Sequence, residues 1–165
     1  MSGSRAGRVG IVVGSRSDIA AAEKAAAVLD ELGVESEIRV ISAHRAPDLL
    51  AGFVASAGER GIGVFIAIAG LAAHLPGVVA SQTTLPVIGV PMAGGISDGL
   101  DALLAIVQMP KGVPVATVGV GNGENAGLLA AQMLALGDAA LAGRVAARRA
   151  AQARAIAADP ANEGL

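Results

Sequence analysis

The sequence predicts an α/β protein: a doubly wound parallel sheet in three layers, five strands in the flavodoxin-like order 2-1-3-4-5, and a C-terminal helix. Three observations lead there. Short runs rich in Val, Ile and Ala alternate with longer runs of helical periodicity. The short runs are apolar throughout and do not alternate, as expected of strands covered on both faces. The richest polar segments follow directly on the first three of these runs. Open α/β sheets bind ligands there, outside the carboxyl ends of the strands and near the switch point in strand order.

Taken in order, residues 8–13 read as the first strand. Gly14 and two serines follow, then a helix over 18–32, in which Ile19, Ala22, Ala26, Leu29 and Leu32 keep helical spacing and Gly33 suits the C-cap. Residues 37–41 form the second strand and 47–60 the second helix. Pro47 fits that helix's first turn, and Leu49, Leu50, Phe53, Val54 and Ala57 make its inner stripe. The third strand is 63–69, with a helix over 73–81 after it. The fourth strand is 86–90, followed by a helix over 98–108 that opens on an Asp, and the fifth strand is 113–118. A helix over 125–136 and a last one over 138–157 complete the pattern. No repeat or linker interrupts it, so residues 1–158 read as one domain. The last helix is expected to pack on a neighbouring subunit, and residues 159–165 are expected to form a frayed tail.

Composition narrows the function. A chain of 165 residues suits one domain with a real core. Charged residues make up only 16 % and apolar ones 53 %, against about 25 % charged in an average soluble domain. A drift toward small residues would explain part of this, but the excess is apolar as well as small and points to surface buried between subunits. Net charge is −2. Arg144, Arg148, Arg149 and Arg154 fall at helical spacing, which suits a solvated helix face better than a nucleic-acid grip. With Phe53 and Phe65 as the only aromatic residues of the Phe, Tyr and Trp class, a base-stacking platform is not expected. Cysteine is absent, which excludes disulfides and thiolate zinc sites and fits a reducing cytoplasm. The longest apolar runs, near 62–73 and 85–96, are interrupted by Gly or Pro and fall short of the roughly 20 residues a membrane helix needs. Residues 9–13 are too short for a signal-peptide core, so the protein is expected to stay where it is made.

The chemistry-bearing residues lie at the strand ends. In Gly14-Ser15-Arg16-Ser17-Asp18 a glycine ends the strand and a helix begins at once, so free amides and hydroxyls could hold a phosphate. The same serines could equally cap the helix. Asp18 would repel a phosphate and suits sugar hydroxyls or a cap instead. His44 and His74 are the only histidines, and each follows an apolar strand in an Ala-His context. A histidine placed there can serve as acid and base in one cycle. The polar setting of His44, with Arg45 beside it as a planar fork for phosphate or carboxylate, favours chemistry. For His74 a structural and a functional role balance. No carboxylate sits at ligand spacing to either histidine, which argues against a metal site. A Gly-x-Ser-x-Gly elbow is missing, which argues against a serine hydrolase. Gly119-Val-Gly-Asn-Gly123 is read as a loop or subunit contact more than a phosphate cradle.

Several motifs then occur in order: Gly14-Ser-Arg-Ser-Asp18, Ser42-Ala-His-Arg-Ala-Pro47, Ala72-Ala-His-Leu-Pro-Gly77, Pro86-Val-Ile-Gly-Val-Pro91, Ile106-Val-Gln-Met-Pro110 and Asn125-Ala-Gly-Leu-Leu-Ala-Ala-Gln132. Together they closely resemble the PurE family over residues 8 to 138. The resemblance implies a metal-free and cofactor-free homo-octamer in the cytoplasm, with active sites between subunits. The implied reaction converts N5-carboxyaminoimidazole ribonucleotide to 4-carboxy-5-aminoimidazole ribonucleotide in purine biosynthesis, by decarboxylation and recapture of carbon dioxide at C4. Coupling to the ATP-dependent synthetase that makes the carbamate is implied as well. Carried over by position, His44 is the general acid/base, Ser15 and Asp18 hold the ribotide, and Ser42, Ala43 and Arg45 complete its site. Gly70, Ala72, His74 and Leu75 line the pocket for the carboxylate or released carbon dioxide.

The family's second branch carboxylates aminoimidazole ribonucleotide with free carbon dioxide, and there Lys follows the first His and the Ala-Ala-His-Leu-Pro-Gly run is replaced. Arg45 and the intact residues 72–77 favour the mutase branch. A non-catalytic ribotide-binding module is the alternative of another class. Departures from the family pattern are Leu71 where Gly is frequent, Ile19 where Trp is common, and the segments 93–98 and 119–124. They bear on substrate affinity more than on reaction class.

Overall fold

The structure, a computed structural model, describes residues 7–164. Its strands are β1 (Arg8–Val13), β2 (Ser36–Val40), β3 (Ile62–Ala69), β4 (Val87–Pro91) and β5 (Ala116–Thr117). They form one parallel sheet in the order 2-1-3-4-5. Helices α1 (Ile19–Glu31), α2 (Pro47–Ala55), α3 (Leu75–Ser81), α4 (Leu100–Val107), α5 (Gly123–Ala135) and α6 (Ala139–Ala157) complete the three layers. The predicted architecture is the observed one.

The layers follow from the period of two along a strand. Val9, Ile11 and Val13 of β1 and Val64, Ile66 and Ile68 of β3 face α1 and α5. Val12, Phe65, Ala67 and Ala69 face α2, α3 and α4. Both sets are buried, and for that reason the strands read as unbroken apolar runs.

On the first face α1 and α5 approach closely because Gly123 and Gly127, one turn apart, lie against the backbone of Ala21 and Ala25. A Cβ at Gly127 would stand 2.5 Å from the Ala25 carbonyl oxygen, and one at Gly123 would overlap that of Ala21. Helix α6 then docks beside them, with Leu141 buried in the same core. Arg144 donates from Nε to the Leu32 carbonyl at 2.7 Å, satisfying an orphan acceptor at the end of α1. Arg148 pairs with Glu31 at 3.1 Å. Two of the four arginines expected on a solvated face therefore pin α6 to its own protomer, while the second half of that helix stays exposed. Beyond it, Pro160–Asn162 forms a 3-10 turn in which Asn162 Nδ2 donates to the Ile156 carbonyl at 2.7 Å.

Several positions differ from expectation, among them three element bounds and one stripe residue, each for a local reason. Helix α2 stops at Ala55 and not at 60, because the Ser56 hydroxyl bonds back to the Phe53 carbonyl and irregular turns follow to Gly61. Leu49 is 60 % exposed and leaves the inner stripe to Leu50, Phe53, Val54 and Ala57. Helix α4 opens at Leu100, not Asp98, since Ser97, Asp98 and Gly99 all take positive φ. Strand β5 shrinks to Ala116–Thr117, because Pro110, Gly112 and Pro114 crowd its approach and Pro114 has no N–H for a ladder. Among the described residues no helix is long and apolar enough to cross a membrane.

Candidate active site

A cleft of about 580 Å³ opens at the carboxyl ends of β1, β2, β3 and β4. It is the place predicted by the switch-point rule, since β1 and β3 are adjacent and their connections leave to opposite faces. Gly14, Ser15, Ser17 and Asp18 border it from the end of β1. Ser42, Ala43, His44 and Arg45 border it from the end of β2, and Gly70, Leu71, Ala72 and Leu75 from the end of β3.

The β1 end is a tight polar corner. Ser15 caps the short 3-10 turn Arg16–Asp18, its Oγ accepting from the Ser17 amide at 3.4 Å. The Ser17 hydroxyl donates to Asp18 Oδ1 at 3.0 Å. Asp18 makes no cap bond to α1 although it occupies the N-cap position, so its carboxylate remains for the cleft. The capping alternative thus holds for Ser15 and fails for Asp18.

The β2 end is a closed turn. The Ala46 amide bonds the Ser42 carbonyl at 2.9 Å, after which Pro47 opens α2. Ser42 Oγ accepts from both the amide and the Nε of Arg45, at 3.3 and 3.2 Å. Arg45 Nη2 reaches across to the Gly14 carbonyl at 3.1 Å. The guanidinium therefore ties the first two strand ends together. Its remaining N–H groups are the ones left for an anion.

The β3 end carries the unusual backbone. Leu71 has φ 54°, and the amides of Ala73 and His74 each fold back to the carbonyl two residues earlier, at 2.8 and 2.7 Å. That compact turn puts His74 at the N-cap position of α3. The helix starts at Leu75, two residues later than expected. His74 Nδ1 then lies 2.9 Å from His44 Nε2, with the rings edge-on at 89° and centroids 4.9 Å apart. The only two histidines, 30 positions apart, form one hydrogen-bonded pair.

Ser15, Asp18, Ser42, Ala43, His44, Arg45, Gly70, Ala72 and Leu75 all line this cleft, whereas His74 does not and meets it only through its 2.9 Å contact with His44. Met92 and Ala93, at the end of β4, also line it, and Met92 was missed. The switch-point rule applied to the fourth strand would have found it. Ala69, Gly70, Ala72, Leu75 and Met92 give the cleft an apolar lining, and Ser15, Asp18 and Arg45 give it a polar one. The 119–123 loop is not part of the lining. Gly121 bonds the Pro91 carbonyl at 2.8 Å and Asn122 caps α5, so this loop anchors the helix. Among the described residues no cluster of three or more His, Asp or Glu side chains is placed to hold a metal ion.

The chain is similar to known proteins over most of its length. A profile of the AIR carboxylase family matches residues 8–155. The N5-carboxyaminoimidazole ribonucleotide mutase of Mycobacterium tuberculosis (strain H37Rv) is 54 % identical over 140 residues, 85 % of this chain and 80 % of that protein. The protein of the same name from Methanocaldococcus jannaschii is 60 % identical over 128 residues, 78 % of this chain and 79 % of its own. The crystal structure of Treponema denticola PurE superimposes with a TM-score of 0.85 at 31 % identity, covering 95 % of this chain and 98 % of that one.

Proposed function

Since the chain belongs to the AIR carboxylase family, we propose that it is the mutase that converts N5-carboxyaminoimidazole ribonucleotide to 4-carboxy-5-aminoimidazole ribonucleotide. The observation that carries this reading is the His44–His74 pair, with His44 bordering a cleft whose lining offers polar groups suited to a ribotide and apolar groups suited to carbon dioxide. Relatives of that name at 54 % and 60 % identity support it, as do Arg45 after the first histidine and the unbroken Ala72–Gly77 run.

The reaction needs one proton shuttle and no redox step. Protonated His44 donates to N5 as the carbamate C–N bond breaks, leaving aminoimidazole ribonucleotide and carbon dioxide. The enamine carbon C4 attacks the carbon dioxide, the electron pair coming from the N5 side of the ring. C4 is then tetrahedral and carries both a hydrogen and the new carboxylate. His44 takes that proton, the ring regains aromaticity, and the histidine returns to its starting state. Because His44 Nε2 is engaged with His74, Nδ1 is the nitrogen left to exchange the proton. A neutral ring that accepts at one nitrogen donates at the other, so the bond to His74 couples its tautomer to that of His44. Holding the freed carbon dioxide against the apolar lining gives it a high effective concentration at C4.

Ser15, Asp18, Ser42, Ala43 and Arg45 would bind the ribotide, Asp18 through sugar hydroxyls and Arg45 through an anionic group. Gly70, Ala72 and Leu75 would border the migrating carboxylate, and His74, expected there from the resemblance, would act on it through His44. Exposed Leu100, Leu104 and Val107 make one apolar stripe along α4, and Leu49 adds to the exposed apolar surface. This supports assembly into the homo-octamer, with the exposed half of α6 as a further contact. We place the enzyme in the cytoplasm, beside the synthetase that supplies its unstable carbamate.

Substrate choice tests the reading. Supplied separately with the carbamate, or with aminoimidazole ribonucleotide and bicarbonate, the protein should form product rapidly only from the carbamate. Product from the second mixture alone would assign the carboxylase reaction, and binding without turnover a ribotide-binding module.

A further inference from the structure

Leu71 combines three properties that do not ordinarily occur together. Its φ of 54° lies in the left-handed region, which disfavours residues with a Cβ and is open to glycine. Its side chain is 62 % exposed, so no core holds it there. And it borders the cleft. A backbone outlier without packing to compensate for it points to a use for the side chain.

The position of that side chain suggests the use. Its Cδ2 is 2.7 Å from where a Cβ at Gly95 would stand, so Leu71 reaches from the turn after β3 to the loop after β4. Gly95, with φ 66°, leaves the space that the leucine occupies. The loop is also held from α4, where the Ile96 amide donates to Asp101 Oδ2 at 3.1 Å. Leu71 also belongs to the turn that presents His74 to His44. An apolar side chain thus bridges two rims of the cleft beside the acid/base pair.

We propose that Leu71 is a retention residue: its side chain closes the rim between the β3 and β4 loops over freed carbon dioxide, so that recapture at C4 outruns escape. This rests on the mutase reading. Carbon dioxide that escapes hydrates to bicarbonate and leaves aminoimidazole ribonucleotide behind, so every failed cycle leaves a countable product.

The experiment supplies the carbamate with a 13C-labelled N-carboxylate, in unlabelled bicarbonate, and measures label in the product and free aminoimidazole ribonucleotide. The wild type is compared with Leu71→Asn, Leu71→Gly and Leu71→Met. Asn and Gly accept the left-handed backbone and keep the turn, while Met restores apolar reach. Release per product should rise about three- to sixfold in Leu71→Asn and Leu71→Gly, the ratio expected when roughly a third of a leucine's burial is lost, and remain near wild type in Leu71→Met. Melting temperature and sedimentation check fold and assembly. Equal retention in all four proteins would overturn the proposal. So would an altered assembly with unchanged retention, which would make Leu71 a contact between copies. A wild type that forms no product would remove the mutase reading, and the proposal with it.

Discussion

Nε2 of His44 and Nδ1 of His74 lie 2.9 Å apart across the ends of two different strands, the rings nearly perpendicular. One must donate and the other accept, so each ring fixes the tautomer of its partner. His74→Asn should therefore lower kcat more than it weakens ribotide binding. The expected loss is about 3- to 10-fold, the worth of one ordinary hydrogen bond. Steady-state kinetics with ribotide titration calorimetry check this. A change confined to KM would make His74 a binding residue only.

Arg45 spans from the Ser42 hydroxyl to the Gly14 carbonyl. A lysine keeps the charge but not the fork, and cannot make both bonds while facing an anion. Arg45→Lys should raise KM by about tenfold, equivalent to about 1.4 kcal/mol of binding, with a smaller effect on kcat. Ser42→Ala, which removes only the acceptor, should show part of that change.

The Gly127–Ala25 contact sets the spacing of α1 against α5, and α1 carries the β1 corner of the cleft at its start. Gly127→Ala adds a methyl with no room beside a backbone carbonyl. Overpacking of this kind costs about 1–3 kcal/mol, so the melting temperature should fall by several degrees. Activity in the folded fraction should fall as well, because Asp18 shifts with the helix.

Arg144 closes the end of α1 from α6. Arg144→Ala should cost about 1 kcal/mol, a charge-assisted bond discounted for its exposure. Amide exchange along α6 should accelerate while the sheet stays protected. Uniform acceleration across the whole chain would contradict a local cap.

Leu104 lies mid-way along the exposed stripe of α4. If copies of the chain cover that stripe, Leu104→Glu should reduce the assembly size seen by sedimentation and leave the sheet intact. An unchanged mass would place the subunit contacts elsewhere.

The sheet was legible because β1, β3 and β4 are buried on both faces and leave unbroken apolar runs between turn signals. Local competition was less visible. Nothing in the periodicity of residues 47–60 shows that the Ser56 hydroxyl will end α2 early. Nor does Asp98 look unlike a helix cap until its φ of 52° is seen. The cleft could be placed from the strand ends, and each histidine noticed alone. Their pairing depends on the tight turn at 71–74 and on the registers of β2 and β3 with the intervening β1, which lie beyond sequence spacing. Met92 follows an apolar strand and resembles core, although its place at the carboxyl end of β4 is the signal that brings it to the cleft. Arg144 read as a solvated charge because its acceptor, the Leu32 carbonyl, is 112 positions away.

The central claim is that His44 moves the proton in an intramolecular carboxylate transfer. Its most direct test is the initial rate of product formation from N5-carboxyaminoimidazole ribonucleotide by the wild type and His44→Asn, each shown by calorimetry to bind the ribotide. The wild type should convert the carbamate, and the variant should bind but lose about 10²- to 10⁴-fold in rate, the usual contribution of a general acid/base. A His44→Asn protein working near the wild-type rate would contradict the account.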